Sequence, residues 1–321
     1  MAILEVKNLN LGFQFENDFK QALFDISFSL EKGKMLSIVG ESGCGKTMSA
    51  MSILRLIPKT ARITSGEIFF NGENLLKKSQ NEMQKIRGAK IALIPQDPMT
   101  SLNPLYTVGD QLLEIIKIHQ NLQGSQAEQK AVEAFESVQI PSAKSRLKNY
   151  PHEFSGGMKQ RAIIAMALAC NAQILIADEP TTALDVTIQA QIMNILNDIK
   201  TNQGTSILLI THDLALVSEN TDDIAVMYAG RIVEQAPNNE FFTNPSHPYS
   251  QALLKSLPAN RGEKLETIQG QPPTLSQIID GCKFNPRCEF CMDICTKEIP
   301  QLKNISKSHK IGCFLINQSM V

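Results

Sequence analysis

Short, dense apolar runs alternate along the chain with glycine-bearing turns and charged segments, the pattern of buried strands separated by loops and helices. Met35–Val39, Ile91–Ile94, Ile174–Ala177 and Ile207–Ile210 are nearly continuous in apolar residues and are followed by polar ones, so each reads as a strand buried in a parallel sheet. Met1–Val6 alternates instead, as a half-buried strand does. The apolar run Ile163–Ala169 predicts a buried helix, and helical periodicity with charge recurs over Gly109–Gln120 and Ser125–Gln139. Beyond about residue 241 the pattern changes: Pro245, Pro248, Pro258, Pro272, Pro273, Pro286 and Pro300 interrupt any long helix. No internal repeat or low-complexity tract is present.

Polar groups gather where the apolar runs stop. After Met35–Val39 comes Gly40-Glu41-Ser42-Gly43-Cys44-Gly45-Lys46-Thr47, which fits G-x-x-x-x-G-K-[ST] in the strand–loop–helix setting that motif requires. The three glycines allow the loop to turn its amides onto α- and β-phosphates. Lys46 would reach β/γ oxygens, and Thr47 would offer a hydroxyl to Mg²⁺. Cys44 needs no role beyond filling a small loop position. Ser155-Gly156-Gly157 precedes the buried helix, so one hydroxyl and two unhindered amides meet the positive end of its dipole. Ile174–Ala177 ends in adjacent carboxylates: Asp178 is expected to take Mg²⁺, and Glu179 to polarise the attacking water, with twist and Pro180 relaxing the opposed directions of neighbouring strand residues. His212, after Ile207–Ile210, suits a hydrogen bond to a γ-phosphate oxygen, and the Gln96 carbonyl suits Mg²⁺ or water.

Composition narrows the setting. With 43% hydrophobic residues the chain has ample core, and a net charge of −1 gives no nucleic-acid footprint. The N-terminal segment has no signal-peptide h-region, and the longest apolar stretches, such as residues 162–170, fall short of the roughly 20 residues a membrane helix needs. A transport role therefore requires partner membrane subunits.

The ordered set Gly40–Thr47, Gln96, Phe154–Met158, Asp178-Glu179, Thr181–Asp185 and His212 resembles the nucleotide-binding subunit of an ATP-binding-cassette (ABC) transporter, over about residues 3–240. The resemblance implies an α/β P-loop domain at 1–240: a mixed sheet core, an antiparallel β subdomain, and a helical subdomain at about 97–160 that touches membrane subunits. A small Cys-rich C-terminal extension at 241–321 follows. Ser155, Gly156, Gly157 and Met158 match the signature motif, Leu184-Asp185 the D-loop, and His212 the switch histidine. Phe13 matches the aromatic that stacks on adenine, with Phe15 as second choice. The family's arrangement puts the signature of one subunit over the phosphate cradle of a second ATPase, identical or homologous. Two permeases and, indirectly, an extracytoplasmic solute-binding protein complete the assembly, with the ATPase peripheral on the cytoplasmic face of the membrane.

One departure sharpens the resemblance. Phe154-Ser155-Gly156-Gly157-Met158 replaces the commoner Leu-Ser-Gly-Gly-Gln, and with Gln96–Pro104 and Ser246–Ser250 it is similar to ATPases of dipeptide and oligopeptide importers. Nickel, glutathione and other small-solute importers use closely similar ATPases, and a soluble ABC ATPase acting on nucleic acid or ribosomes would share the catalytic motifs.

Five of seven cysteines lie in the tail. Without a secretion signal a reducing compartment is expected, so disulfides are disfavoured and a Cys₄ site for zinc or an iron–sulfur cluster is favoured, with free packed thiols as the third reading. The peptide-importer resemblance implies a [4Fe–4S] cluster on Cys282, Cys288, Cys295 and Cys313. Cys291 lies outside that set, and its C-x-x-C spacing with Cys288 keeps zinc open. Cys170 is expected to pack inside the apolar helix.

Overall fold

The structure, a computed structural model, describes residues 1–16, 18–182, 184–257, 268–277 and 279–318; Ala183 and Pro258 of the sequence patterns lie outside them. The chain divides into two compact units, residues 1–77 with 211–321, and residues 78–210.

In the first unit the opening alternation extends well past Val6. Strand Ala2–Gln14 pairs antiparallel with both Phe19–Glu31 and Ala61–Phe70, and Glu73–Asn74 closes the edge. Leu4, Val6, Leu9 and Leu11 are buried along it. Strict alternation would bring Leu9 out of phase with Val6; a register shift between them, with Asn8 at φ 47°, returns it to the core. Met35–Val39 is wholly buried and runs parallel to Asp223–Tyr228. That strand pairs antiparallel with Arg231–Pro237, so the sheet is mixed.

The segment after residue 241 belongs to this same unit. Its short strand Lys310–Ile311 pairs with Arg231–Pro237 and with Lys303–Asn304. Pro248 opens the helix Pro248–Lys255 at its first turn, where a missing N–H costs nothing, instead of breaking one. Tyr228, Tyr249 and Phe284 pack together with ring centroids 4.6–5.3 Å apart. Beside them Glu234, completely buried, accepts from the N–H groups of Ser246 (2.8 Å) and His247 (2.9 Å) and pairs with His309 Nε2 at 2.7 Å. Burial alone would raise the pKa of this carboxyl, but the hydrogen bonds it accepts hold it below the ordinary value.

The second unit has the three parallel strands Ile91–Ile94, Ile174–Asp178 and Ser206–Thr211. Its helices include Val108–Gln120, Gly124–Ser137, Gly156–Leu168 and Val186–Gln203. The two predicted helices of the charged segment thus form within two residues of their expected bounds. Thr107 starts the first by accepting from Asp110 N–H at 3.0 Å. Cys170 is not inside the apolar helix: that helix ends at Leu168, and the thiol donates from the following turn to Met166 O at 3.5 Å.

Replacing Glu234 with alanine strands a histidine and two backbone donors in the interior. Glu234→Ala is expected to lower unfolding stability by about 3–5 kcal/mol in urea titrations, the usual consequence of removing one partner of a buried charged network.

Candidate nucleotide site

The phosphate loop follows the buried strand Met35–Val39 directly. At Gly40 a Cβ would sit 2.1 Å from Met227 O, so no other residue fits without moving the loop. Gly45, at φ 107°, starts the helix Lys46–Leu54, and no side chain caps that start. An uncapped helix start presents its first N–H groups to whatever anion lies against it. Ser42 and Gly43 are exposed, whereas Lys46 is 4% exposed. The Lys46 ammonium curls back over the loop, donating to Gly40 O (2.8 Å) and Glu41 O (3.0 Å). Thr47 occupies the first turn. Cys44 is buried, which pushes its thiol pKa up, and its carbonyl accepts from Gly230 N–H at 2.9 Å. It fills space and holds the loop, as its expected lack of chemistry implies.

In the second unit, Asp178 ends a fully buried strand at 1% exposure. Glu179 follows in the left-handed region at φ 47°, while its N–H still donates to Ile210 O at 2.8 Å. A non-glycine residue there stores strain of about 1–3 kcal/mol, which surrounding structure must offset. This backbone reversal, more than strand twist, redirects the second carboxylate. Its Oε2 accepts from Gln96 Nε2 and from Thr182 Oγ1, each at 3.0 Å. With the Gln96 amide nitrogen so engaged, its carbonyl oxygen is the group turned to other partners.

The helix Gly156–Leu168 takes in both glycines that the sequence places ahead of the apolar run Ile163–Ala169. Ser155 Oγ accepts from Met158 N–H at 3.3 Å and keeps a hydroxyl proton to donate. Gly157 is held tightly, since a Cβ there would meet Ile188 Cγ2 at 3.0 Å. Asp185 caps the helix Val186–Gln203 by accepting from Ile188 N–H at 3.0 Å. His212 is exposed just past the strand Ser206–Thr211. Phe13 is half-buried near the end of its strand, opposite Lys20 and Ala61. Phe15 lies beyond the strand, 50% exposed, with Lys20 Nζ 5.7 Å from its ring centroid.

The "ABC transporter" family profile matches residues 23–182, and the profile "Oligopeptide/dipeptide transporter, C-terminal region" matches residues 233–295. The chain is 48% identical to the probable peptide ABC transporter ATP-binding protein y4tR of Sinorhizobium fredii, over 98% of this chain and 96% of that one. It is 45% identical to the oligopeptide transport ATP-binding protein OppD of Escherichia coli, over 98% and 93%. Among solved structures, the dimeric post-hydrolysis state of the ATP-binding cassette MJ0796, bound to ADP and Pi, superposes with a TM-score of 0.66 at 25% identity, covering 73% of this chain and 98% of that one. The chain belongs to the ABC transporter family. It is one of that family's ATPases, and ATP with Mg²⁺ fits its phosphate loop.

Several residues of this ABC ATPase act in ways the sequence patterns did not single out. Arg161, three residues past Met158, does not turn to phosphate; it donates to Val138 O (3.2 Å) and Gln139 O (2.8 Å), and to Gln191. Thr182 steadies Glu179. Tyr249 OH accepts from Glu41 N–H at 3.0 Å, and Arg287 pairs with the Glu41 carboxylate. The phosphate-loop motif marks Glu41 only as a variable position, so neither contact has a local signal.

In the tail, Cys282, Cys288, Cys295 and Cys313 line one cavity together with apolar groups including Phe284, Pro300 and Leu315, whereas Cys291 is exposed outside it. Among the described residues no group of three or more His, Cys, Asp or Glu converges to hold a metal ion. The expected metal centre, for zinc or iron, is thus not present as a convergent ligand set among the described residues. Burial, and then the neighbouring cysteines, push the Cys282 and Cys288 thiols up to about 11. They are neutral near pH 7, and only a bound cationic group would deprotonate them there.

Because Gly40 has no room for a Cβ, Gly40→Ala is expected to weaken ATP binding by at least about tenfold, a loop displacement worth 1.4 kcal/mol or more. Titration with a fluorescent ATP analogue measures this, and unchanged affinity would show that the loop relaxes freely.

Proposed function

We propose that this ATPase energises import of dipeptides or oligopeptides through a membrane ABC transporter. The observation that carries the reading is the pairing of an ABC ATPase sequence with a tail matching the oligopeptide/dipeptide transporter C-terminal region at residues 233–295. Relatives named for peptide transport at 48% and 45% identity support it. We place the catalytic domain at residues 1–240 and the transporter-type extension at 241–321. No helix among the described residues is long and apolar enough to cross a membrane, so in this reading two permease subunits supply the path. The chain works with a second ATPase on the cytoplasmic face.

In this mechanism Lys46 exchanges its loop carbonyls for β- and γ-phosphate oxygens, while the amides of Gly40, Ser42, Gly43, Cys44 and Gly45 cradle the phosphates. Thr47, Gln96 and Asp178 serve Mg²⁺, directly or through water. Glu179 orients the hydrolytic water, held in place by Gln96 and Thr182, and His212 donates to the γ-phosphate. Phe13 stacks on adenine. Ser155, Gly156 and Gly157, with Asp185, face the nucleotide of the partner ATPase, where the spare hydroxyl proton of Ser155 has an acceptor. Catalysis is positioning and charge stabilisation, as phosphoryl transfer requires.

The four thiols around the tail cavity are proposed to take a [4Fe–4S] cluster. Four thiols are the ligand set such a cluster takes, and a bound cationic group would turn neutral thiols into ligands.

Lys46→Ala is expected to weaken ATP binding, while Glu179→Gln keeps ATP affinity and loses about 10²–10⁴-fold in turnover. Both are assayed in the transporter reconstituted with its permeases, alongside ATP-dependent uptake of a labelled tripeptide. Wild-type turnover in Glu179→Gln rejects that residue as base, and absent peptide uptake by an active ATPase rejects the substrate. Anaerobic purification should give a brown protein with iron and sulfide in equal amounts, lost in Cys282→Ser. A colourless protein with stoichiometric zinc overturns the cluster.

A further inference from the structure

Glu41 is an odd neighbour for a phosphate cradle. Its carboxylate follows Gly40 within the loop, and an unpaired negative charge there would oppose a nucleotide anion. The charge is not left unpaired. Arg287, from the cysteine-bearing tail 246 residues away, forks onto it: Nη1 donates to Oε2 at 2.7 Å and Nη2 to Oε1 at 3.0 Å. This is not a loose surface pair, because the Arg287 side chain is 5% exposed and that of Glu41 24%. The guanidinium is itself held, donating through Nε to Gln269 O at 2.8 Å and through Nη1 to Tyr228 OH at 3.3 Å.

We propose that Arg287 is a positioning residue for the phosphate loop, fixing Glu41 and thereby the loop backbone that follows Gly40. The proposal rests on the nucleotide-binding reading of that loop. Glu41 is gripped at three points: its carboxylate by Arg287, its N–H by Tyr249 OH at 3.0 Å, and its carbonyl by Lys46 Nζ at 3.0 Å. Displacing the carboxylate therefore shifts the backbone of the loop whose amides, in the proposed function, cradle the phosphates. Arg287 is followed at once by Cys288, which lines the thiol cavity, so the stretch of tail that carries the thiols also reaches the cradle. Lysine cannot replace the fork, since an ammonium offers no planar pair of donors.

The test uses the full chain with Arg287→Ala, Arg287→Lys, Glu41→Gln and the double variant Arg287→Ala/Glu41→Gln. ATP affinity, KM and kcat are read beside the thermal midpoint, with Lys46→Ala run in parallel. Arg287→Ala is expected to raise the ATP Kd and KM about tenfold, within the usual range of coupling between sites, while kcat at saturating ATP stays close to wild type. Arg287→Lys should restore little of the loss. The double variant should bind ATP no worse than Arg287→Ala, because the uncompensated charge is gone. If Arg287→Ala does not fold, Arg287→Lys and Glu41→Gln carry the same comparison. Wild-type ATP affinity in the Arg287 and Glu41 variants, with only the thermal midpoint lowered, overturns the proposal and leaves the pair a fold anchor. Retained ATP binding in Lys46→Ala overturns the reading of the loop itself, which separates the two failures.

Discussion

A helix that starts without a capping side chain is the constraint around which the first unit is organised. Gly45 can enter the helix Lys46–Leu54 only through a left-handed backbone, and it brings no side chain to satisfy the first amides. Left alone, such a start would fray. Here it is held from outside: Gly40 lies against the Met227 carbonyl, Gly45 packs against Leu23 and Met227, and Gly230 N–H bonds Cys44 O. These neighbours come from the antiparallel sheet and from the strand Asp223–Tyr228 with its following turn. The loop backbone is therefore held by the sheets beside it before an anion arrives.

The signature helix solves the same problem differently. Ser155 caps it through Met158 N–H, so the start is stable without a ligand, yet the hydroxyl still has a proton to give. Glu179 shows a third device. Its left-handed φ is unfavourable, and it is tolerated because Ile210 O, Gln96 and Thr182 fix the backbone and carboxylate together. Strain at such a residue sets a direction that twist alone leaves loose.

Much of this was legible in the sequence, for a physical reason in each case. Strands buried on both faces are nearly continuous in apolar residues, so Met35–Val39 and Ile174–Ala177 announce themselves without partners being known. The glycine spacing of the loop reflects backbone demands that no other residue meets. What sequence reading lost was long-range or backbone-specific. Gln96 meets Glu179 across 83 positions and Arg287 meets Glu41 across 246, and neither pairing has a periodicity. The shift that keeps Leu9 in phase, the early end of the helix before Cys170, and the turning of Arg161 onto Val138 and Gln139 carbonyls depend on tertiary contacts.

The tail illustrates how far composition misleads about structure. A proline-rich, cysteine-bearing segment reads as an appendage, yet Lys310–Ile311 joins the sheet between Arg231–Pro237 and Lys303–Asn304, and Glu234 draws His309 and two backbone amides into the interior. Tyr228, Tyr249 and Phe284 form one aromatic contact shared by sheet, helix and tail. Two of those three rings bear hydroxyls, and each hydroxyl is spent on the same small region: Tyr249 on Glu41 N–H, Tyr228 on Arg287. An apolar cluster that only needed volume would be filled equally well by phenylalanine. The Tyr249 hydroxyl gives the part-buried Glu41 N–H its acceptor, and the Tyr228 hydroxyl adds one more to a guanidinium already paired with Glu41, so the packing of the tail and the hydrogen bonding of the phosphate loop are one arrangement.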